Sequence, residues 1–122
     1  MLEKIVETVK KASSLMVDAG FGIMEKGDIT NLVTTSDLAV QHFLTQELSR
    51  LLPGSCFFCE EEDLKDISGE YVWIIAPIDG TANYARGISD CCISVALTKG
   101  MQPLYGVVFS PGKGELYTAR RG

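Results

Sequence analysis

Apolar residues recur at Leu2, Ile5, Val6, Val9, Ala12, Met16 and Ala19. This i, i+3, i+4 rhythm predicts one amphipathic helix over residues 2–19. Gly20 and Gly22 stand where such a helix would stop. The polar stretch Glu25–Asn31 contains Gly27 and reads as a loop or turn. A second helix is expected to begin near Thr35–Asp37, because Thr34, Thr35 and Ser36 can each cap an N-terminus. Its apolar stripe runs through Val40, Phe43, Leu44, Leu48, Leu51 and Leu52, and Pro53-Gly54 closes it.

Beyond Gly54 the period changes from helical to extended. Ser55–Cys59 is a short strand candidate, and Glu60–Gly69 reads as an acidic loop. Tyr71–Ile75 is apolar and β-prone, and Cys91–Thr98 alternates, with Ile93, Val95 and Leu97 on one side. Leu104–Ser110 and Glu115–Ala119 flank Pro111-Gly112-Lys113-Gly114, a credible hairpin turn. Two helices followed by a run of strands predict an α+β fold, with the helices packed on one face of a mostly antiparallel sheet. The sequence shows no repeat, low-complexity tract or linker.

The chain has 122 residues, of which 46% are apolar and 22% charged, enough for one domain with a core. A net charge of −5 argues against a nucleic-acid footprint. It leaves an anionic small substrate open, because a bound divalent metal reverses the local field. No apolar run reaches the ~20 residues that cross a bilayer. The N-terminal segment is amphipathic rather than a signal sequence, so a cytoplasmic location is the expectation, with no membrane partner. Cys56-x-x-Cys59 has the spacing of a redox pair or half a zinc site. A second half-site is missing, because Cys91 and Cys92 are adjacent and His42 is the only histidine. Buried structural thiols are the favoured reading for all four cysteines.

Candidate chemistry concentrates in Trp73-Ile-Ile-Ala-Pro-Ile-Asp-Gly-Thr-Ala-Asn-Tyr-Ala-Arg-Gly87. Pro77 lacks an N–H donor and is expected to end strand pairing, which leaves Asp79 at the rim of the sheet. Gly80 permits close backbone approach, and the amides of Gly80 and Thr81 can form a small anion cradle. The Thr81 hydroxyl can orient a water molecule. The competing reading is a plain turn, since Asp-Gly is a common turn dipeptide. Glu60-Glu61-Glu62-Asp63 reads either as a solvated loop or as carboxylates that meet Asp79 around a hard, octahedral cation such as Mg²⁺. Asp37 is suited to a helix N-terminus in any case, and Lys26 is unremarkable in isolation.

Together these segments resemble the inositol monophosphatase family of Mg²⁺-dependent, lithium-sensitive phosphatases. Lys26 stands before Asp37 in a Leu-Val-Thr-x-x-Asp stretch, Leu32 to Asp37. Phe58-Cys59-Glu60-Glu61 resembles a Gly-Glu-Glu segment, with Cys59 in the glycine's place. Trp73 to Gly87 resembles the Trp-x-x-Asp-Pro-Ile-Asp-Gly-Thr-x-Asn-Phe signature. Gly106-Val-Val-Phe-Ser-Pro111 and Glu115-Leu-Tyr-Thr-Ala119 look like the strands that follow it.

The resemblance implies Mg²⁺ as cofactor. Glu60, Asp79 and the Ile78 carbonyl would be metal ligands, with Glu61 at a weaker third site. Thr81, Glu60 and Asp37 would prepare the attacking water, the amides of Gly80 and Thr81 would bind phosphate, and Lys26 would play a supporting part. The expected substrate is a small phosphorylated compound, with inositol 1-phosphate as the default.

Ala76 departs from the pattern: the family has an aspartate there that bridges two metals. The resemblance also implies that residues 1–122 are a single N-terminal metal-binding domain, one layer of an α/β sandwich whose C-terminal half is absent, as in a truncated chain. Impaired or absent activity and self-association into a homo-oligomer are therefore expected. Two alternatives stand beside this reading: a non-catalytic binding or oligomerisation module, and a relative acting on sugar bisphosphates or nucleotide bisphosphates.

Overall fold

The computed structural model describes residues 1–20, 29–59, 65–79 and 92–121, and within them all side chains except those of 17–20, 29–36, 78 and 79. Helix α1 spans Leu2–Gly20 and α2 spans Ile29–Leu51. Five strands follow: β1 (Cys56–Cys59), β2 (Tyr71–Asp79), β3 (Cys92–Lys99), β4 (Gln102–Ser110) and β5 (Glu115–Arg120). The sheet order is the chain order, β1-β2-β3-β4-β5. Only the β1–β2 pair is parallel; the other three are antiparallel.

Both helices lie on one side of this sheet, as the periodicity predicts. Ile5, Val9, Ala12 and Met16 of α1 and Val40, Leu44 and Leu48 of α2 share one core with Cys59, Trp73, Ile75, Ile93, Val95, Leu97 and Val107. β2 and β3 contribute every second residue, which is the period of a pleated strand with one face buried. Trp73, fully buried, donates its indole N–H to Ser55 Oγ at 2.9 Å. That bond ties the middle of β2 to the turn that ends α2.

Helix α2 starts at Ile29, not near Thr35–Asp37. Thr34, Thr35 and Ser36 are therefore interior residues and not caps. Their intrinsic helix penalty is at most about 0.7 kcal/mol each. Ile29 and Val33 carry the apolar spacing of Val40 and Leu44 back through them. Asp37 is accordingly beyond the first turn, where the helix dipole no longer favours it appreciably. Pro77 does not end β2 either. The strand continues to Asp79, and the ladder with β3 shifts register between Ala76 and Asp79. Such an irregularity accommodates a residue without an N–H donor.

The segment expected as an acidic loop has a described end that returns along β1. Phe58 and Lys65 form an isolated antiparallel bridge, and Asp66 donates its N–H to the Phe57 carbonyl at 3.0 Å. The β3–β4 connection is a two-residue turn, with Lys99 opposite Gln102 and with both Gly100 (φ 56) and Met101 (φ 69) left-handed. This is the backbone that a type I′ hairpin turn requires.

Cys56, Cys59 and Cys92 are thiols and form no disulfide. Cys56 and Cys59 are three residues apart on one strand, so their side chains point to opposite faces. That geometry does not suit a redox pair or a shared zinc ion; Cys59 is buried as expected, Cys56 and Cys92 are only half-buried, and Cys91 lies outside the described residues.

Candidate functional site

Strand β1 ends alongside the middle of β2. The parallel register pairs Cys56 with Val72, Phe57 with Trp73, Phe58 with Ile74 and Cys59 with Ile75. Cys59 is the last described residue before Glu60, and Ile75 is the residue before Ala76.

Ala76 occupies the final regular rung of β2, opposite Ser94 of β3. Ile75 faces the helices, so the pleat turns Ala76 to the other face. There it borders a shallow apolar groove of about 380 Å³ with Ile74, Ser94, Ala96 and Gly106. Its methyl group supplies no donor or acceptor at that point of the sheet. After the register shift the ladder resumes at Asp79, which pairs with Cys92. The backbone at Ala76–Asp79 is thus held by β3 at both ends and irregular between them.

Asp37 lies on the opposite, helix side of the sheet. It is 5% exposed, one turn before Val40 and Gln41 on the face of α2 that packs on β2. A carboxylate so deeply buried is costly unless hydrogen-bonded or paired, which makes Asp37 a candidate functional group.

Gln41, one turn further on, is fully buried, and among the described residues neither its amide nitrogen nor its amide oxygen has a hydrogen-bond partner. The one sequence signal for it is a polar side chain interrupting the apolar stripe of Val40, Leu44 and Leu48, four positions after Asp37.

Of the predicted site residues, Asp37 and Ala76 are described in full, and Ile78 and Asp79 by their backbone within β2. Lys26, Glu60, Glu61, Gly80 and Thr81 lie outside the described residues. Among the described residues, no three or more His, Cys, Asp or Glu side chains are gathered to hold a metal ion. In residue type, Asp79, Glu60, Glu61 and the Ile78 carbonyl suit a hard cation. The Ala76 side chain offers no oxygen to such a set.

The sequence of the whole chain, residues 1–122, matches the model of the inositol monophosphatase family. The inositol-1-monophosphatase of Rhizobium meliloti (strain 1021) is 34% identical over 128 residues, an alignment that takes in 100% of this chain and 48% of the relative. The crystal structure of the extragenic suppressor protein suhB from Bartonella henselae superposes with a TM-score of 0.83 at 28% identity, covering 98% of this chain and 48% of that one. A Ca-bound protein of the same family from Staphylococcus aureus gives a TM-score of 0.80 at 28% identity, covering 97% of this chain and 44% of that one. The chain spans about half the length of the relatives it matches. The helix pair, the five-stranded mixed sheet and the match along the full sequence agree: this chain belongs to the inositol monophosphatase family.

Proposed function

We propose that the chain carries the metal-binding part of a Mg²⁺-dependent phosphomonoesterase site, weakened by the alanine at position 76. Family membership supports a phosphatase lineage acting on a small phosphorylated substrate. The observation that supports the finer reading is the register of β1 on β2: Cys59, the residue before Glu60, lies beside Ile75, the residue before Ala76, and Asp79 follows on the same strand. The calcium seen in the Staphylococcus aureus relative agrees with an oxygen-rich cation site in this fold.

In this reading Glu60, Asp79 and the Ile78 carbonyl hold Mg²⁺, with Glu61 at a weaker position. The cation would supply charge stabilisation for phosphoryl transfer to water. Thr81 and Glu60 orient that water, Asp37 polarises the Thr81 hydroxyl, the Gly80 and Thr81 amides receive the phosphate, and Lys26 supports the loop. Inositol 1-phosphate is the default substrate, with sugar bisphosphates and nucleotide bisphosphates as alternatives. Lithium sensitivity and a cytoplasmic location belong to the same proposal. No helix among the described residues is long and apolar enough to cross a membrane.

The test is phosphate release from inositol 1-phosphate in the presence of Mg²⁺. Loss of one electrostatic stabiliser commonly lowers turnover about 10²–10³-fold. A deficit of at least that size relative to the Rhizobium meliloti protein is expected. Equal turnover would defeat the proposed role of position 76.

A second reading is self-association. The sheet face away from the helices exposes Phe58, Ile74 and Tyr117, apolar surface of the kind that partners cover. Sedimentation of the purified chain tests it, and a monomer at high concentration counts against it.

A further inference from the structure

We propose that Pro77 is a positioning residue for the cation site: the bulge it makes in β2 sets Asp79 on the face of the sheet that Ala76 occupies. The inference rests on the reading of Asp79 as a cation ligand and names what places it there.

Strand β2 pairs regularly with β3 through Ile75 with Val95 and Ala76 with Ser94, and the next matched pair is Asp79 with Cys92. Two residues, Pro77 and Ile78, therefore stand opposite one, Ile93. That is the count of a β-bulge. The side-chain period of a strand is two, so one extra residue exchanges the faces of everything beyond it. Trp73, Ile75 and Pro77 are buried, and the first two belong to the core beneath the helices. In an unbroken strand Asp79 would share their parity. The rung it takes instead is that of Cys92. Cys92, Ser94 and Ala96 are half-buried and alternate with the buried Ile93, Val95 and Leu97, so that rung belongs to the face away from the helices. Ala76, paired with Ser94, lies on this same face. Positions 76 and 79 differ in parity, and they share a face only through the bulge.

Proline favours a bulge at this point for three reasons. It has no N–H to give to a regular rung. Its ring holds φ at about −65°, well away from the roughly −140° of an antiparallel strand. That value lies close to the right-handed helical region, which the first residue of such a bulge adopts. Finally, proline restrains the residue before it to extended backbone, and this keeps Ala76 in regular pairing with Ser94. A β-branched residue with an N–H removes all three constraints and favours an unbroken ladder.

Mg²⁺ titration of the intact chain, followed by amide NMR, tests the proposal together with NOE contacts across the β2–β3 ladder. The wild-type chain is expected to bind Mg²⁺ and to show contacts between residues 79 and 92. Asp79→Asn should weaken binding. Pro77→Val should bring Ile78 opposite Cys92, move the contact from residue 79 to residue 78, and weaken Mg²⁺ binding about 10–100-fold, the range for residues that orient metal ligands. A proline that only stiffens the strand would change the urea midpoint and leave the register in place. Pro77→Ala also regains the N–H and carries the same expectation if the valine variant fails to fold. Wild-type binding that is absent, or indifferent to Asp79→Asn, would overturn the cation site and this proposal with it. Two results would overturn the role of Pro77 and leave the cation site standing. One is binding weakened by Asp79→Asn but unchanged in both Pro77 variants; the other is a register that stays at residues 79 and 92 in both.

Discussion

Cys59 stands directly across from Ile75 in the parallel β1–β2 ladder. The residues that follow them in the chain are Glu60 and Ala76, and β2 runs on from Ala76 to Asp79. Replacing Ala76→Asp should strengthen Mg²⁺ binding. A change of about 10–100-fold in affinity is the range seen when residues that support a metal site are altered. Isothermal titration calorimetry measures it. An unchanged affinity would mean that the Glu60 and Asp79 carboxylates do not share a cation with position 76.

Gln41 gives a prediction about stability. Its amide is fully buried with both polar atoms unbonded among the described residues, which costs roughly 1–3 kcal/mol in lost hydration. Gln41→Leu, close in volume and apolar, should raise the unfolding free energy by about 1–2 kcal/mol in a urea titration. A drop would show that the amide has a bound water or another partner in solution.

The Trp73–Ser55 bond makes the opposite prediction. Ser55 accepts the indole N–H and donates its own hydroxyl to the Leu52 carbonyl at 2.7 Å. Ser55→Ala leaves the buried indole N–H unsatisfied and should cost about 1–3 kcal/mol. Chemical denaturation followed by Trp73 fluorescence reads this directly, and a neutral outcome would show that water replaces the hydroxyl.

Asp66 supplies a pH dependence. The Ser68 hydroxyl at 2.6 Å, then the Ser68 backbone N–H, then the Cys56 thiol hold its carboxyl below the ordinary range. A depressed folded-state pKa contributes stability that is present above the unfolded value and lost as pH falls through the folded value. Ser68→Ala should move the Asp66 titration upward toward an ordinary carboxylate, as followed by carboxyl NMR. An unmoved midpoint would assign the shift to the other two donors.

Much of the fold is legible in the sequence because one face of each element is apolar. The stripe from Ile5 to Met16 and the alternation of Ile93, Val95 and Leu97 each have a single way to be buried. The start of α2 is harder to read, because Thr34, Thr35 and Ser36 serve as caps or as interior residues at similar cost. Here the tertiary burial of the stripe decides. Pro77 misleads for a related reason: its missing donor is absorbed by a local register shift, and the strand does not end. Of the site, Asp79 is legible from the signature around it and Ala76 from the gap it leaves there. Gln41 is not, because the penalty of burying an amide appears only once the helix has been docked on the sheet.

The turn at Gly100–Met101 has a consequence for engineering. Met101 holds a left-handed backbone that only glycine and, less readily, asparagine or aspartate adopt at low cost, at roughly 1–2 kcal/mol for other residues. The side chain is exposed and remote from the core and from position 76. Met101→Asn should therefore raise the melting temperature, as scanning calorimetry would record, while leaving cation binding untouched. A lowered melting temperature would show that Met101 is favoured by contacts that outweigh its conformation. The hairpin tip is a reserve of stability on which more disruptive changes elsewhere in the molecule could draw.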